Sequence, residues 1–341
     1  MKSFISRNWF VLSLPFVVLL AFIIPSAGSD DGWLKAKTTT KYGVALIFLF
    51  QGLTIQTKAL HHGLKNWRLH VLVQGFIFIV FPVLGICFDA VAGHHLPPDL
   101  RTGFLYLCVL PSTISTSPVL TTMAGGNSVG AVFNAVLSNL LGMVVTPLWA
   151  AYLMHVNGQS RPLGPILQDV ALMLLLPLII GQIVRQFYAR WIDPRKKRFG
   201  HASSVLILFI VFSAFCNSVK KHLWEKYGPG LIIPAAGGVI LLFFIATALA
   251  DGLAWLFRLN RGDKIVAIFS SPHKTLASGV PMAGAIFGQQ YPGLTLILMP
   301  LMFYHPLQLF VCGLIADRFA REGAKKAPEI GDAKNRHRVG V

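Results

Sequence analysis

At 341 residues, 54% hydrophobic and only 13% charged, the chain has about half the charge of an ordinary soluble protein, which excludes a soluble enzyme. Apolar runs of about 18 residues or more recur along its length, the pattern of a helical protein that crosses a membrane many times. A membrane barrel is excluded because its strands would alternate apolar and polar residues. The net charge of +17 points to orientation in a bilayer and not to nucleic acid, because the lysines and arginines lie in short segments between the runs.

Ten spans are expected. They fall at about residues 9–24, 42–55, 69–91, 102–125 and 128–155, then 163–187, 203–219, 231–257, 265–287 and 293–315. The first has a basic start, but its apolar run is too long for a signal peptide and no cleavage pattern follows cleanly, so it is a retained helix. The second is short and carries Gln51. The third holds Gln74, and Pro82 is expected to kink it. The fourth is interrupted at Pro111, and after Gly125, Gly126 and Asn127 the fifth begins at once with Asn134, Ser138 and Asn139. Asn134 and Ser138 lie four apart on one helix face, and interhelical hydrogen bonding is the structural alternative to a binding role for them.

A polar connector at 156–162 divides the chain into a first repeat, 8–155, and a second, 163–320, followed by a solvated, frayed tail at 321–341. Asp169 and Asp251 fall near span ends and read as interfacial. His305, before Pro306, reads as a packing histidine with its needs met. Cys87, Cys108, Cys216 and Cys312 all sit in apolar spans without metal-ligand spacing, as small buried side chains do. Alternate numbering of the connections puts 21 of the 30 lysines and arginines on the side of the N-terminus and 8 on the other, with Lys274 left inside a span. That asymmetry places both termini in the cytoplasm, and the localisation expected is an integral plasma (cell inner) membrane.

Lys274 is the anomaly. Apolar flanks at 265–269 and 283–287 enclose Ser270, Ser271, Pro272, His273, Lys274 and Thr275, with Pro281 following. An ionisable residue at that depth is a functional-site hypothesis by default. The fourth span answers it with Pro111, Ser112, Thr113, Ser115, Thr116, Ser117 and Pro118, and both segments run on to Met-Ala-Gly. Each is the fourth member of a five-span half. Five is odd, so the second half enters the membrane reversed, which is the geometry of an inverted repeat. Proline breaks a helix, and freed backbone groups survive in lipid only where they face protein or a wet cavity. Two broken helices at matching positions point to a transporter's binding site. The alternatives are ordinary kinks satisfied by hydroxyls and, for Lys274, a side chain that snorkels to the interface. The candidate substrate- or ion-binding residues are Gln74, Ser112, Thr113, Ser115, Thr116, Ser117, Asn134, Ser138, Asn139, Ser270, Ser271, His273, Lys274 and Thr275.

Over about residues 8–320 the chain resembles the bile acid:sodium symporter family, in its SBF-like branch. The resemblance rests on Gln74 through Phe81-Pro82, on Pro111 through Asn127 with Asn134–Asn139, and on the stretch from Ser271 to Met282. It implies an all-α polytopic membrane protein of ten helices in two inverted repeats. Spans one, two, six and seven would form a panel domain. The remaining spans would form a core domain in which broken helices four and nine cross, and core would move against panel. In sodium-coupled members the resemblance implies a glutamate and a glutamine four residues apart at the second crossover. Ser270 and Lys274 stand there instead, and Ser117 and Pro118 match a Ser-Asn pair at the first crossover. A sodium site needs oxygen ligands and gains from a negative one, so this departure argues against sodium coupling by the family's arrangement.

The function expected is secondary transport of a small organic, anionic solute, with a small molecule and the lipid bilayer as partners and no nucleic acid. No resident cofactor or metal site is expected, and Na+ or H+ are the candidate coupling ions. The alternative is a membrane sensor or regulator that binds a ligand without moving it, although the chain shows no output domain. An enzyme is not expected, because Ser271, His273 and Lys274 lie too close in sequence to share a helix side and no Gly-x-Ser-x-Gly motif accompanies them.

Overall fold

Lipid offers no hydrogen-bond partners, so a chain of this composition must satisfy its backbone within helices. The structure, a computed structural model, describes residues 2–55, 66–156, 168, 171–222, 225, 229–288 and 291–336, and every regular element among them is helical. Lys58, Lys65, Asp169 and most of the connector expected at 156–162 lie outside the described residues. The helices are α1 (Lys2–Ile23), α2 (Ala36–Thr54), α3 (Trp67–Gly75), α4 (Phe81–Ala92), α5 (Pro98–Val109), α6 (Thr116–Met123) and α7 (Ser128–Val156). They continue as α8 (Leu176–Ile192), α9 (Lys196–Lys220), α10 (Ile232–Leu256), α11 (Arg261–Ser270), α12 (Leu276–Phe287) and α13 (Leu294–Arg336). Five described stretches are long and apolar enough to cross a membrane: Trp67–His95, Ser128–Leu153, Ala171–Lys220, Ile232–Leu256 and Leu294–Glu322. The chain is an all-helical polytopic membrane protein.

The sequence places a kink at Pro82, and a π-helical turn at Phe76–Val80 delivers it between α3 and α4. Proline has no N–H for the carbonyl four residues back. That carbonyl, on Phe78, accepts from the Trp149 indole Nε1 at 3.0 Å. A second π turn, Ala171–Leu175, precedes Pro177 in the same way. Several bounds differ from the sequence reading, and α1 and α2 begin at Lys2 and Ala36, ahead of the starts expected at 9 and 42. Helix α9 begins at Lys196, before the apolar run, because the basic residues there are good helix formers. Helix α13 continues to Arg336 where a frayed tail is expected, supported in its exposed part by the four-apart pairs Arg318–Glu322 and Arg321–Asp317.

Two groups of helices pack internally. One is α1, α2, α8 and α9, and the other is α3–α7 with α10, α11 and α13. Backbones approach closely in the first group, where a Cβ on Gly52 would overlap the Leu178 carbonyl and one on Gly181 the Leu49 carbonyl. Helix α12 lies at the boundary, packed on α13 on one side and on α2 and α9 on the other. The ends of the helices sort into two faces. On one, buried Asp263 accepts from the Nδ2 atoms of Asn66 (2.5 Å), Asn127 (2.8 Å) and Asn260 (2.6 Å), and Arg261 donates to the Phe319 carbonyl at 2.8 Å. On the other, the Tyr291 hydroxyl donates to Asp99 at 2.7 Å, and the Asp30 amide donates to Asn217 at 3.0 Å.

Candidate functional site

Two helix breaks make the site. Leu110 precedes a proline and is therefore pushed out of the helical region; it is extended, at φ −69° and ψ 149°, and α5 stops at Val109. The chain stays unwound until α6 begins at Thr116. Pro111 is seated by Gly142 of α7, where a Cβ would overlap the proline ring. In the second break α11 stops at Ser270, and the chain is non-helical until Thr275, whose side chain accepts from the Ser278 amide and starts α12. Pro281 lies within α12 and does not interrupt it.

The two broken segments run antiparallel and touch along their length. The hydroxyls of Ser117 and Ser270 are 2.8 Å apart. The Thr275 amide donates to the Pro111 carbonyl at 3.0 Å, and the Tyr106 hydroxyl donates to the Gly279 carbonyl at 2.7 Å. Lys274 is fully buried between them. Its Nζ donates to the carbonyls of Cys108 (2.9 Å) and Leu110 (2.8 Å) and lies 4.0 Å from the centroid of the Phe81 ring. An ammonium has three donors and no acceptor. Here it meets two carbonyls at the C-terminal end of α5 and one aromatic face, the electron-rich surface that attracts cations. Lys274 makes no ion pair among the described residues. It does not snorkel, since nothing of the side chain reaches the surface.

A second layer holds the unwound backbone. The Ser112 amide donates to Ser138 Oγ at 2.9 Å, and Asn139 Nδ2 donates to the Ser112 carbonyl at 2.7 Å. Asn139 Oδ1 accepts from Ser278 Oγ at 3.2 Å, and that hydroxyl accepts from Gln51 Nε2 at 3.3 Å. A polar chain thus runs from α2 through α12 and α7 to the first break. Thr113 bonds the Thr116 hydroxyl at 2.7 Å and accepts from the Ser117 amide at 3.2 Å. Ser115 is exposed. Gln74 and Asn134 form their own pair between α3 and α7, with Gln74 Nε2 at 3.1 Å from Asn134 Oδ1 and 3.2 Å from its carbonyl. Ser271 Oγ and both His273 ring nitrogens are buried without hydrogen-bond geometry to any described group, and the His273 ring meets Phe269, one turn before it, edge-on at 6.5 Å.

The sequence model of the SBF-like CPA transporter family matches residues 8–321. The chain belongs to that family. It is 34% identical over 322 residues to the Escherichia coli protein named "Putative symporter YfeH", covering 94% of this chain and 96% of the relative. It is 31% identical over 313 residues to "Sodium/bile acid cotransporter 7-B" of Xenopus laevis, covering 89% of each. As a member of the SBF-like CPA transporter family, the chain is a membrane transporter.

Several site residues of this family member escape sequence reasoning. Gln308, 34 positions from Lys274, receives the Lys274 amide on Oε1 at 2.9 Å and donates from Nε2 to the Lys274 carbonyl at 2.9 Å. His305, read as a packing histidine, sits with Nδ1 2.9 Å from the same Nε2. Tyr304 donates to the Pro272 carbonyl at 2.7 Å. Only their polarity within apolar runs marks them in the sequence. The Cys108 and Leu110 carbonyls carry no mark at all.

Proposed function

We propose that this transporter moves a small organic anion by alternating access, built on two five-span inverted repeats, with Lys274 occupying the place of a coupling sodium ion. On this reading α1, α2, α8 and α9 form the panel and the other helices the core. The ten spans this reading requires would be α1, α2, α3–α4, α5–α6, α7, the stretch ending in α8, α9, α10, α11–α12 and α13. The observation that carries it is the Lys274 ammonium on the Cys108 and Leu110 carbonyls. Carbonyls at a helix C-terminus hold partial negative charge, and a sodium ion would use oxygens of this kind. A cation tethered to the chain already meets them, and a free one beside it would be repelled. A proton is the coupling ion this leaves open, with Lys274 or its neighbour His273 as carrier.

The N-terminal ends of α6 and α12 add positive dipole ends to the ammonium, which favours an anionic solute. Relatives named sodium/bile acid cotransporters put amphipathic carboxylates first among solutes to try. A ligand raises the melting temperature in proportion to ln(1 + [L]/Kd). The expected result is stabilisation of the purified protein by such an anion to the same extent in sodium chloride and in choline chloride. Stabilisation that requires sodium would overturn the sodium-independent reading. Both termini are cytoplasmic on the charge asymmetry, so a cysteine added after Val341 should resist a membrane-impermeant reagent applied to intact cells; labelling from outside would reverse the orientation.

A further inference from the structure

The junction of α8 and α9 carries Arg185, Arg190, Arg195, Lys196, Lys197 and Arg198 against one acidic residue, Asp193. The structure divides these cations into used and unused. Arg185 and Lys196 both pair with Asp193, at 2.8 and 2.9 Å, and Arg185 also donates to the Leu53 carbonyl at 2.6 Å. Arg195 lies 4.4 Å from the centroid of Trp191 and donates to its carbonyl at 2.9 Å. Arg190, Lys197 and Arg198 are exposed and make no ion pair among the described residues.

Large apolar side chains are exposed at the same junction: Phe187 at 77%, Tyr188 at 61% and Trp191 at 54%. The junction is also held in one shape. Phe199 packs 5.3 Å from Phe50 and 6.3 Å from Trp191, and the turn Asp193–Arg195 is a short 3-10 helix containing Pro194. Charges that only oriented the chain would need neither a fixed turn nor aromatic neighbours. Aromatic rings beside unpaired cations suit the level of lipid headgroups, where one side of the site is apolar and the other wet. A free phosphate would gain nothing from the rings.

We infer that this junction is a binding site for an anionic phospholipid headgroup, its phosphate received by Arg190, Lys197 and Arg198 and its glycerol and upper acyl region by Phe187, Tyr188 and Trp191. The site is separate from the crossover, and it rests on the membrane setting alone, so it stands or falls independently of what is transported.

The test uses the full chain reconstituted in phosphatidylcholine vesicles containing acyl-brominated phosphatidylglycerol or brominated phosphatidylcholine. Trp191 emission is taken as the part lost in Trp191→Phe, and bromine quenches it on contact. Quenching should occur at a mole fraction of the anionic lipid lower by up to about a hundred-fold, and the preference should fall about five-fold for each cation replaced across Arg190→Gln, Lys197→Gln and Arg198→Gln. If the triple variant fails to insert, the wild type still decides: the preference should weaken as salt is raised towards 1 M, where screening shortens the reach of charge. Equal quenching by the two lipids in the wild type would mean that the charges only orient the chain. A preference that survives the triple substitution, or one abolished by millimolar inorganic phosphate at constant ionic strength, would also overturn the inference.

Discussion

Removing Lys274 should destabilise the protein more than any other single change at the crossover, and it should not make it a better sodium binder on its own. In Lys274→Ala the carbonyls of Cys108 and Leu110 lose their donor while remaining buried. Leaving a buried polar group unpaired costs about 1–3 kcal/mol, and the lost packing against Phe81 adds to it. Lys274→Met separates the two effects, because it keeps most of the volume and removes the charge. It should recover part of the loss in melting temperature, and Lys274→Gln, which keeps a donor, should recover more. The double variant Ser270→Glu, Lys274→Gln restores the glutamate and glutamine that the resemblance gives to sodium-coupled members. It alone should be stabilised by sodium over choline, because a carboxylate and an amide oxygen replace a repelling ammonium. A wild type that sodium stabilises, or a Lys274→Ala protein that melts with the wild type, would dispose of the tethered-cation account.

The second large effect is an arrest of transport. Gln51 and Ser278 connect α2 to α12 at 3.3 Å, and on the proposed reading this contact joins panel to core. Asp89 and Arg101 form an ion pair between α4 and α5, wholly within the core, and neither is a candidate binding residue. Alternating access moves one group against the other, so a short thiol crosslink should distinguish the two pairs. Bridged cysteines at 51 and 278 should abolish solute exchange in proteoliposomes, with recovery on reduction, while bridged cysteines at 89 and 101 should leave it near normal. The solute is whichever anion the thermal-shift comparison identifies. Full exchange with 51 and 278 bridged would mean that the boundary does not lie at α12.

The site was unevenly legible before folding. Pro111 and Pro272 announce the two breaks, because proline's missing donor acts locally and leaves a trace in the sequence. Lys274 announces itself by depth. Ser112, Ser138 and Asn139 fall together as a group, since the first break and the following helix are close in the chain. Ser115 and Thr116 looked equivalent to Ser117, yet only Ser117 faces the second break, because the rotation of α6 selects one hydroxyl out of three. The Gln74–Asn134 pair is polar and partly buried, but it joins α3 to α7 without touching the lysine.

The sequence by itself determined the membrane setting, the all-helical architecture, the positions of the two breaks and the presence of a buried cation near one of them. Each of these follows from local composition or from a single residue's covalent geometry. Only the tertiary structure decided what the cation meets. Two of its partners are main-chain carbonyls, which every residue possesses and no sequence marks. The third is the face of Phe81, one aromatic among 25 phenylalanines. Gln308, which clasps the Lys274 backbone, reaches it across 34 residues. Contacts of that kind are fixed by how two antiparallel broken segments align in space, and that alignment is set by packing summed over the whole core, not by any motif in the chain.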